Sequence, residues 1–512
     1  MKVFKHFLVF LAVLAALSGC KDKEVVYPDP VLSVSGDATG EFKPGASLSV
    51  TLNINAGGGA KSIIVKRAGG FLEEVPVNAD ATTFTYSTQK VPETLAEGEE
   101  VAYGFALVNK NDVQSAEVAY TVKAALYDKV TVGSASLYNV TIPTDGIVNS
   151  GTTIKLIKGR KYQVSSSLTF AKGAKLQVEE GVTVYMLAGQ SNPVAIEVQG
   201  EADIRGTATA PVVFTSTRVL TTATPAAPGD WTWLRLTGSG NDSNNGVVKY
   251  LRIEYGGDRA FRLTDVGQAT EIDYVQVYKA SGEGVMVTNG NARLKHIVAT
   301  DCQGGSYRLG DSYSGLMQFI ISVSSGQYAD NDDFSIREDA SPVIANITLL
   351  GPGQNEENTH GMRMRANAKP KVYNAVIAEF PRRGLRGGDN VTITNMAGTA
   401  VFAHSFIFNV KSDPYRDLAV AFAGTFDPVS GERLTNVFNN NVTTLKGSAF
   451  TVETLAGIGV GNFVPSAEKA STFNPSSLNA FFSSAGYAGA VNNAAGDWTK
   501  GWVKNPDGAV RN

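Results

Sequence analysis

The chain of 512 residues has only two cysteines, Cys20 and Cys302, and only four histidines. So few thiols and imidazoles argue against a disulfide scaffold and against a Cys/His zinc site. Cys302 follows a repeated strand, where we expect a buried, inert thiol. The net charge is −3, so no basic field is present to draw in nucleic acid.

Long apolar runs are also scarce. The run from Phe7 to Leu17 follows two lysines and is too short to span a membrane, which is typical of a signal-peptide core. It ends in Leu17-Ser18-Gly19-Cys20, which resembles a bacterial lipobox. The resemblance implies a signal peptide over 1–19, lipidation of Cys20 and a tether over 20–29. An ordinary signal peptide is the alternative.

Amphipathic helical patterns are missing from the rest of the chain, and strand patterns take their place. Alternation at Leu48, Val50, Leu52 and Ile54 is typical of half-buried strands. It predicts an immunoglobulin-like β-sandwich over 30–123, without a disulfide, followed by a linker over 124–145.

A strand pair then repeats. First strands begin at 248, 272, 294, 317, 344, 372 and 402, which gives steps of 24, 22, 23, 27, 28 and 30 residues. Such a period with Gly and Asn at the corners predicts a right-handed parallel β-helix over 146–455. We expect 456–512 to cap it, with the late tryptophans covering the last coil. The fold class is therefore all-β.

Several motifs together resemble the β-helix surface lipoproteins of Bacteroidetes. They are the lipobox, the sandwich, Gly229-Asp230-Trp231, the segment from Val247 to Gly257, the segment from Ile272 to Val277, and the closing segment from Asp497 to Trp502. The resemblance covers most of 140–510 and implies architecture and an outer-membrane, cell-surface location. It implies no activity, because that family has none assigned.

Arginine recurs at the middle of the second strand. This position reads Arg262, Met286, Arg308, Ser335, Arg363 and Arg386, and neighbouring coils stack about 4.8 Å apart. The four arginines are our candidate ligand-binding residues, because guanidinium groups match carboxylate and sulfate. The alternative is a solvated face whose arginines pair with acidic neighbours, namely Asp258, Glu283, Asp311, Glu338 and Asp339.

Extra residues at 326–333 and 352–360 indicate two swollen corners leading into this column. A weak alternative places calcium at Asp330, Asp332 and Asp333, although no cofactor is the main expectation. An enzyme alternative uses Asp332, Asp333, His360 and Arg363, as in a polysaccharide lyase or glycoside hydrolase.

Another column contains Tyr250, Tyr274, His296 and Phe319, continued by Asn346 and Asn374. We interpret it as an internal ladder of the solenoid.

These patterns favour a non-enzymatic, lipid-anchored surface protein whose β-helix binds an acidic polysaccharide or a partner such as an outer-membrane uptake complex. The alternatives are the enzyme above and a purely structural or adhesive surface protein.

Overall fold

The computed structural model of the chain describes residues 26–142, 145–326, 331–353, 359–388, 399–411 and 455–512. They fall into two compact units, Met1–Leu126 and Tyr127–Asn512. Regular structure in the described residues is β-strand apart from three short 3-10 helices, so the all-β prediction is confirmed. No helix among them is both long and apolar enough to cross a membrane.

The first unit is a sandwich of two sheets, ordered β1-β3-β6 and β2-β8-β7-β4-β5. The alternation seen in the sequence sets its core, since Val50, Leu52 and Ile54 on β3 are buried beside Tyr103 and Phe105. Its strands are β1 (Val31–Val34), β2 (Thr39–Phe42), β3 (Val50–Asn55), β4 (Ala60–Arg67), β5 (Gly70–Pro76), β6 (Thr83–Tyr86), β7 (Glu100–Asn109) and β8 (Val118–Ala124).

The second unit is a parallel β-helix, and it begins earlier than predicted. The segment predicted as a linker contains β9 and β10, and β10 pairs in parallel with β13. Leu137 and Val140 on β10 are buried, so apolar burial adds this hairpin to the solenoid. The opening strands are β9 (Asp128–Val132), β10 (Ala135–Val140), β11 (Ile147–Val148), β12 (Thr153–Leu156), β13 (Lys161–Val164), β14 (Leu168–Phe170), β15 (Lys175–Val178), β16 (Thr183–Met186), β17 (Ile196–Val198), β18 (Glu201–Arg205), β19 (Val212–Ser216) and β20 (Leu234–Thr237), with a 3-10 helix at Thr217–Leu220.

Later coils each contain one short and one long strand. They are β21 (Gly246–Glu254), β22 (Phe261–Thr264), β23 (Glu271–Tyr278), β24 (Glu283–Thr288), β25 (Arg293–Thr300), β26 (Gly305–Gly310), β27 (Leu316–Val323), β28 (Asn331–Ile336), β29 (Val343–Leu350), β30 (Thr359–Met364), β31 (Lys371–Ala378), β32 (Leu385–Gly387), β33 (Val401–Ala403) and β34 (Phe406–Phe408). The short strands stack into a ten-stranded sheet, which we call the arginine face, and the long strands stack into a second sheet.

Each long strand bends once. β21 pairs with β18 before Tyr250 and with β19 after it, so one strand serves two sides of the coil. Tyr250 has φ 47°, and the left-handed region recurs at Tyr274, His296, Phe319, Asn346, Asn374 and His404. Such a backbone is unfavourable for residues other than Gly and Asn, so the bends need support from their side-chain contacts.

The predicted column of aromatic side chains is stacked, as expected, but it does not lie inside the solenoid. The rings of Tyr250 and Tyr274 lie 4.3 Å apart, and Tyr274 and His296 lie 4.2 Å apart. Their other contacts are with Trp498 and Trp502 of the C-terminal segment rather than with the interior. The left-handed bend therefore presents these side chains to the outside of the coil, where a later part of the chain covers them.

The C-terminal segment, residues 455–512, runs along the side of the coils. Hydrogen bonds of 2.8–3.0 Å join this segment to the coils: Phe473 is bonded to Asn374, Ser483 to Gln318 and Lys504 to Gln276. Two further 3-10 helices, Pro475–Ser477 and Ala494–Gly496, interrupt it. The expectation that the tryptophans cover the last coil is thus wrong, because Trp502 packs against the bends at Tyr250 and Tyr274. We call 455–512 the strap.

Candidate functional site

The predicted arginine column lies on the arginine face in strict register. Arg262 pairs with Met286, Met286 with Arg308, and Arg308 with Ser335. Ser335 pairs with Arg363, and Arg363 with Arg386. These positions alternate with fully buried residues such as Leu263 and Leu309, so they point away from the interior. The repeat offset thus identified one continuous row of side chains.

Three further arginines belong to this face and were missed. Arg235 on β20 is the register partner of Arg262 and extends the column by one coil. The similarity of Leu234-Arg235-Leu236-Thr237 to Phe261-Arg262-Leu263-Thr264 was the signal for it. Arg337 and Arg365 come two residues after Ser335 and Arg363, so strand alternation places them on the same face.

Acidic side chains compensate this face in part, as the alternative interpretation expected for some of them. Glu283 lies 3.6 Å from Arg308 and 3.3 Å from Arg337, and Glu338 lies 3.4 Å from Arg308. Asp258 lies 3.4 Å from Arg259, which precedes the column. These ion pairs are long, and Glu283 is shared between two arginines. The carboxylates therefore neutralise the positive charge of the arginine face only in part.

The other two expected acids take different roles. Asp339 accepts a hydrogen bond from Asn367 and forms no ion pair with the column. Burial and the nearby Glu338 raise the pKa of Asp311, and burial with the nearby Asp258 raises the pKa of Glu283. Negative charge on this face is therefore crowded beside the arginines rather than evenly distributed along them.

Arg262 is the clearest uncompensated cation. No carboxylate in the described part of the chain lies within 4.0 Å of its guanidinium, and its buried Nε has no hydrogen-bond partner there. Burial and the neighbouring guanidinium groups of Arg235 and Arg259 lower the pKa of Arg262. Like charges side by side cost free energy, which an anion from outside the chain would reduce.

The members of the alternative catalytic set lie in different environments, although Asp332 and His360 are register partners on adjacent strands. Asp332 faces Arg363 on the outside, with a 3.1 Å ion pair. Asp333 is fully buried and accepts hydrogen bonds from Ser306, at 2.7 Å, and from Ser322. His360 is also fully buried. Consecutive side chains of a strand point to opposite sides, so the two neighbouring carboxylates lie in different environments.

These environments have chemical consequences. Burial raises the pKa of Asp333 to about 6, although both serine hydroxyls favour its ionised form. Burial also raises the pKa of the Cys302 thiol to about 12, which agrees with the inert cysteine that we expected. Neither group is placed to meet a substrate on the arginine face.

The calcium alternative receives no support from the residues that can be placed. Asp330 lies outside the described residues, as do residues 327–329 and 354–358 of the two swollen corners and Cys20 with its leader. Asp332 and Asp333 do not share a site, for the reason given above. Among the described residues no group of three or more acidic, histidine or cysteine side chains could hold a metal ion.

A cavity of about 200 Å³ opens on the arginine face at Ser335. Its lining includes Glu283, Asp332, Arg337, Arg363 and Arg365. A larger cleft of about 470 Å³ lies at another corner, beside Lys175 and Glu201. In that cleft Lys175 is paired with Glu201 at 2.9 Å and with Asp203 at 3.1 Å. Size alone therefore favours the larger cleft, whereas uncompensated charge favours the arginine face, and we give charge more weight.

The chain was compared with known proteins. Solved structures similar to the chain include a pectate lyase from Pectobacterium carotovorum, at 12% identity and TM-score 0.14, covering 75% of this chain and 91% of that one. A pectate lyase from Erwinia chrysanthemi in complex with tetragalacturonic acid has 11% identity and TM-score 0.13, with the same coverage. Fibronectin(III)-like modules from Clostridium thermocellum have 8% identity and TM-score 0.15, covering 18% of this chain and 96% of theirs.

No curated protein matches the chain. The sequence profile described as a pectate-lyase-like β-helix domain matches residues 146–503. This match spans well over half of the 512 residues and includes the strands from β11 to β34. The protein therefore belongs to the family of pectate-lyase-like β-helix domains.

Proposed function

We propose that the arginine face binds an acidic glycan laid along the stacked coils. The observation that carries this proposal is the in-register column, in which Arg262 has no carboxylate partner among the described residues. Coils stack about 4.8 Å apart, so anionic groups repeating along a polysaccharide can meet several arginines in turn. Many weak charge-assisted contacts then act together on one chain.

Desolvation strengthens these contacts. The side chains of Arg308 and Arg363 are only 16% and 20% exposed, so their guanidinium groups lie partly out of water. An anion that reaches them exchanges hydration for paired hydrogen bonds at a reduced dielectric. Electrostatic binding of this kind weakens as salt is added.

The test uses three polymers with one backbone, namely dextran, carboxymethyl dextran and dextran sulfate, together with polygalacturonate. Affinity electrophoresis of the purified protein should show retardation by the charged polymers and none by dextran. The double variant Arg308→Gln/Arg363→Gln should lose most of this retardation, whereas Arg205→Gln, a 59% exposed arginine away from the face, should keep it. Equal mobility in all four polymers would refute the proposal.

A polysaccharide lyase is the second candidate, because the family takes its description from pectate lyases. The same incubations should be examined for unsaturated sugars, with and without calcium. Product formation would favour the enzyme and make Asp332 and Arg363 the first residues to test, since they are the two members of the alternative set that face outward. Retention without product would favour the binding protein.

The cellular location is a separate proposal. The lipobox-like Leu17-Ser18-Gly19-Cys20 supports a lipid anchor at Cys20, which would hold the β-helix at the outer membrane and cell surface, where a glycan or an uptake complex is the partner. Replacement of Cys20 with serine should move the protein from the membrane fraction to the soluble fraction. Unchanged fractionation would contradict the anchor.

A further inference from the structure

The arginine column has a gap at Ser335, and the gap forms a pocket. A serine stands where the adjoining coils have Arg308 and Arg363, and a cavity of about 200 Å³ opens above it. We call this cavity the Ser335 pocket. Its polar lining is Ser335, Arg337, Arg363, Arg365, Glu283 and Asp332.

The pocket contains hydrogen-bond donors that the described chain does not use. Ser335 is 8% exposed, and its Oγ has no hydrogen-bond partner among the described residues. The buried Nε groups of Arg337 and Arg363 also have no hydrogen-bond partner among the described residues. Buried polar groups are nearly always satisfied, so this cluster indicates an acceptor that comes from outside the chain.

The charges of the pocket leave one cation in excess. Asp332 pairs with Arg363 at 3.1 Å, and Glu283 pairs with Arg337 at 3.3 Å. Arg365 has no carboxylate within 4.0 Å in the part of the chain that the structure describes. The two carboxylates hold their guanidinium groups in place, and the remaining positive charge favours a single negative charge in the cavity.

Like-charge crowding points in the same direction. Burial and the nearby guanidinium groups of Arg308 and Arg365 lower the pKa of Arg337. A monoanion placed between Arg337 and Arg365 would relieve this repulsion, whereas a neutral sugar would not.

The arrangement of donors selects the shape of the anion. Ser335 and Arg363 are register partners on adjacent coils, about 4.8 Å apart, and Arg337 and Arg365, which follow them by two residues, also line the cavity. Donors from two adjacent coils thus reach the cavity. A carboxylate presents two oxygens in one plane, whereas a sulfate ester presents three oxygens in a pyramid and can accept from several sides.

We propose that the Ser335 pocket binds one sulfate ester group of the glycan. This inference rests on the proposed function and goes further, since it assigns one anionic substituent to one place on the face. Its ligand class is a sulfated saccharide rather than a uronate.

The experiment uses monosaccharides, because they are too small to bridge the column. The purified full chain is titrated with glucose 6-sulfate, glucuronate and glucose by calorimetry at low ionic strength. We expect glucose 6-sulfate to bind with a stoichiometry of one, more tightly than glucuronate, with no binding of glucose.

Three variants locate the site. Arg365→Gln should weaken glucose 6-sulfate binding by about fivefold to tenfold, the loss of one charge-assisted hydrogen bond. Ser335→Met fills the cavity with the residue type that the same column already has at Met286, and it should abolish binding. Arg205→Gln, at an exposed arginine away from the arginine face, should leave the affinity unchanged.

Glucuronate binding at least as tight as glucose 6-sulfate would overturn the choice of sulfate. Unchanged affinity in both Arg365→Gln and Ser335→Met would overturn the pocket. If dextran sulfate still binds the arginine face in that case, the inference fails alone. If dextran sulfate is not bound at all, the proposed function fails with it.

Discussion

Two outward surfaces of this solenoid, the strap side and the arginine face, differ in whether their polar groups have hydrogen-bond partners. On the strap side, Gln318 donates to the carbonyl of Ser483 at 3.0 Å and accepts from its amide at 2.8 Å, and Gln276 does the same with Lys504. On the arginine face, Ser335 and Arg262 have no such partner among the described residues. A side covered by its own chain has its donors paired, so the unpaired side is the one available to a ligand.

The same difference appears in the apolar residues. The outward positions of the long strands after their bends include Val298, Ile321 and Val376, which are buried in one cluster with Phe463 and Trp502 of the strap. The arginine face has no comparable apolar cover among the described residues. Burial of apolar area makes the strap a stabilising element, whereas the arginine face contributes little to folding.

The largest expected loss of stability comes from a substitution on the side that the strap covers. Trp502 is fully buried against Tyr250 and Tyr274, so Trp502→Ala should lower the free energy of unfolding by ~3–5 kcal/mol. Urea unfolding followed by circular dichroism measures this loss. Trp502→Phe is the matched control and should retain most of the stability. An unchanged midpoint for the alanine variant would show that the strap is not a stabilising element.

The next largest effect on stability comes from a buried carboxylate in the interior of the solenoid. Burial raises the folded-state pKa of Asp333 to about 6, whereas an unfolded aspartate titrates near about 3.9. Between these values the folded state holds a proton that the unfolded chain has lost. The contribution of Asp333 to stability should therefore be greatest below about pH 4 and should fall by up to about 3 kcal/mol as the pH rises to about 6.

Unfolding midpoints at several pH values test this. Asp333→Asn should remove that part of the pH dependence, while Asp332→Asn on the arginine face should leave it in place. Identical pH profiles for the wild type and Asp333→Asn would contradict the assignment to Asp333.

A smaller effect compares one polar group from each side. Gln318→Ala leaves the main chain of Ser483 without its partners and should cost about 1–3 kcal/mol. Ser335→Ala removes a hydroxyl that has no partner in the described chain and should cost close to nothing. Thermal unfolding of the two variants side by side gives the comparison. Equal losses of stability in the two variants would contradict the claim that polar groups are paired on the strap side and unpaired on the arginine face.

The arginines of the column are also expected to contribute little to stability. Arg308 forms ion pairs of 3.4 and 3.6 Å, so Arg308→Gln should change the free energy of unfolding by less than about 1 kcal/mol. The same substitution should weaken the binding of dextran sulfate, which affinity electrophoresis measures. A large stability loss would mark Arg308 as a structural residue instead.

The sequence was informative where one coil repeats the next. The repeated strand pair placed Arg262, Arg308, Arg363 and Arg386 in one column, because parallel strands in register stack equivalent positions. The repeat also found the stacked rings. It did not show that a left-handed bend turns Tyr250 and Tyr274 outward, where the strap covers them.

Contacts between distant segments explain the other differences. Asp332 and Asp333 are neighbours in sequence, but Asp332 pairs with Arg363 whereas Asp333 is buried against Ser306 and Ser322. The Ser335 pocket needs Arg337 and Arg365 together, and neither belongs to the repeated position. The strap lies beside coils more than 200 residues earlier, as at Arg252 and Trp502, and no local pattern specifies such a pairing.

Arginine-specific modification with and without dextran sulfate, measured peptide by peptide by mass spectrometry, tests the central claim most directly. The account predicts several-fold protection of Arg262, Arg308 and Arg363 by dextran sulfate, none by dextran, and no protection of the exposed Arg205. Unprotected column arginines, or equal protection of Arg205, would contradict the claim that the arginine face is the binding surface.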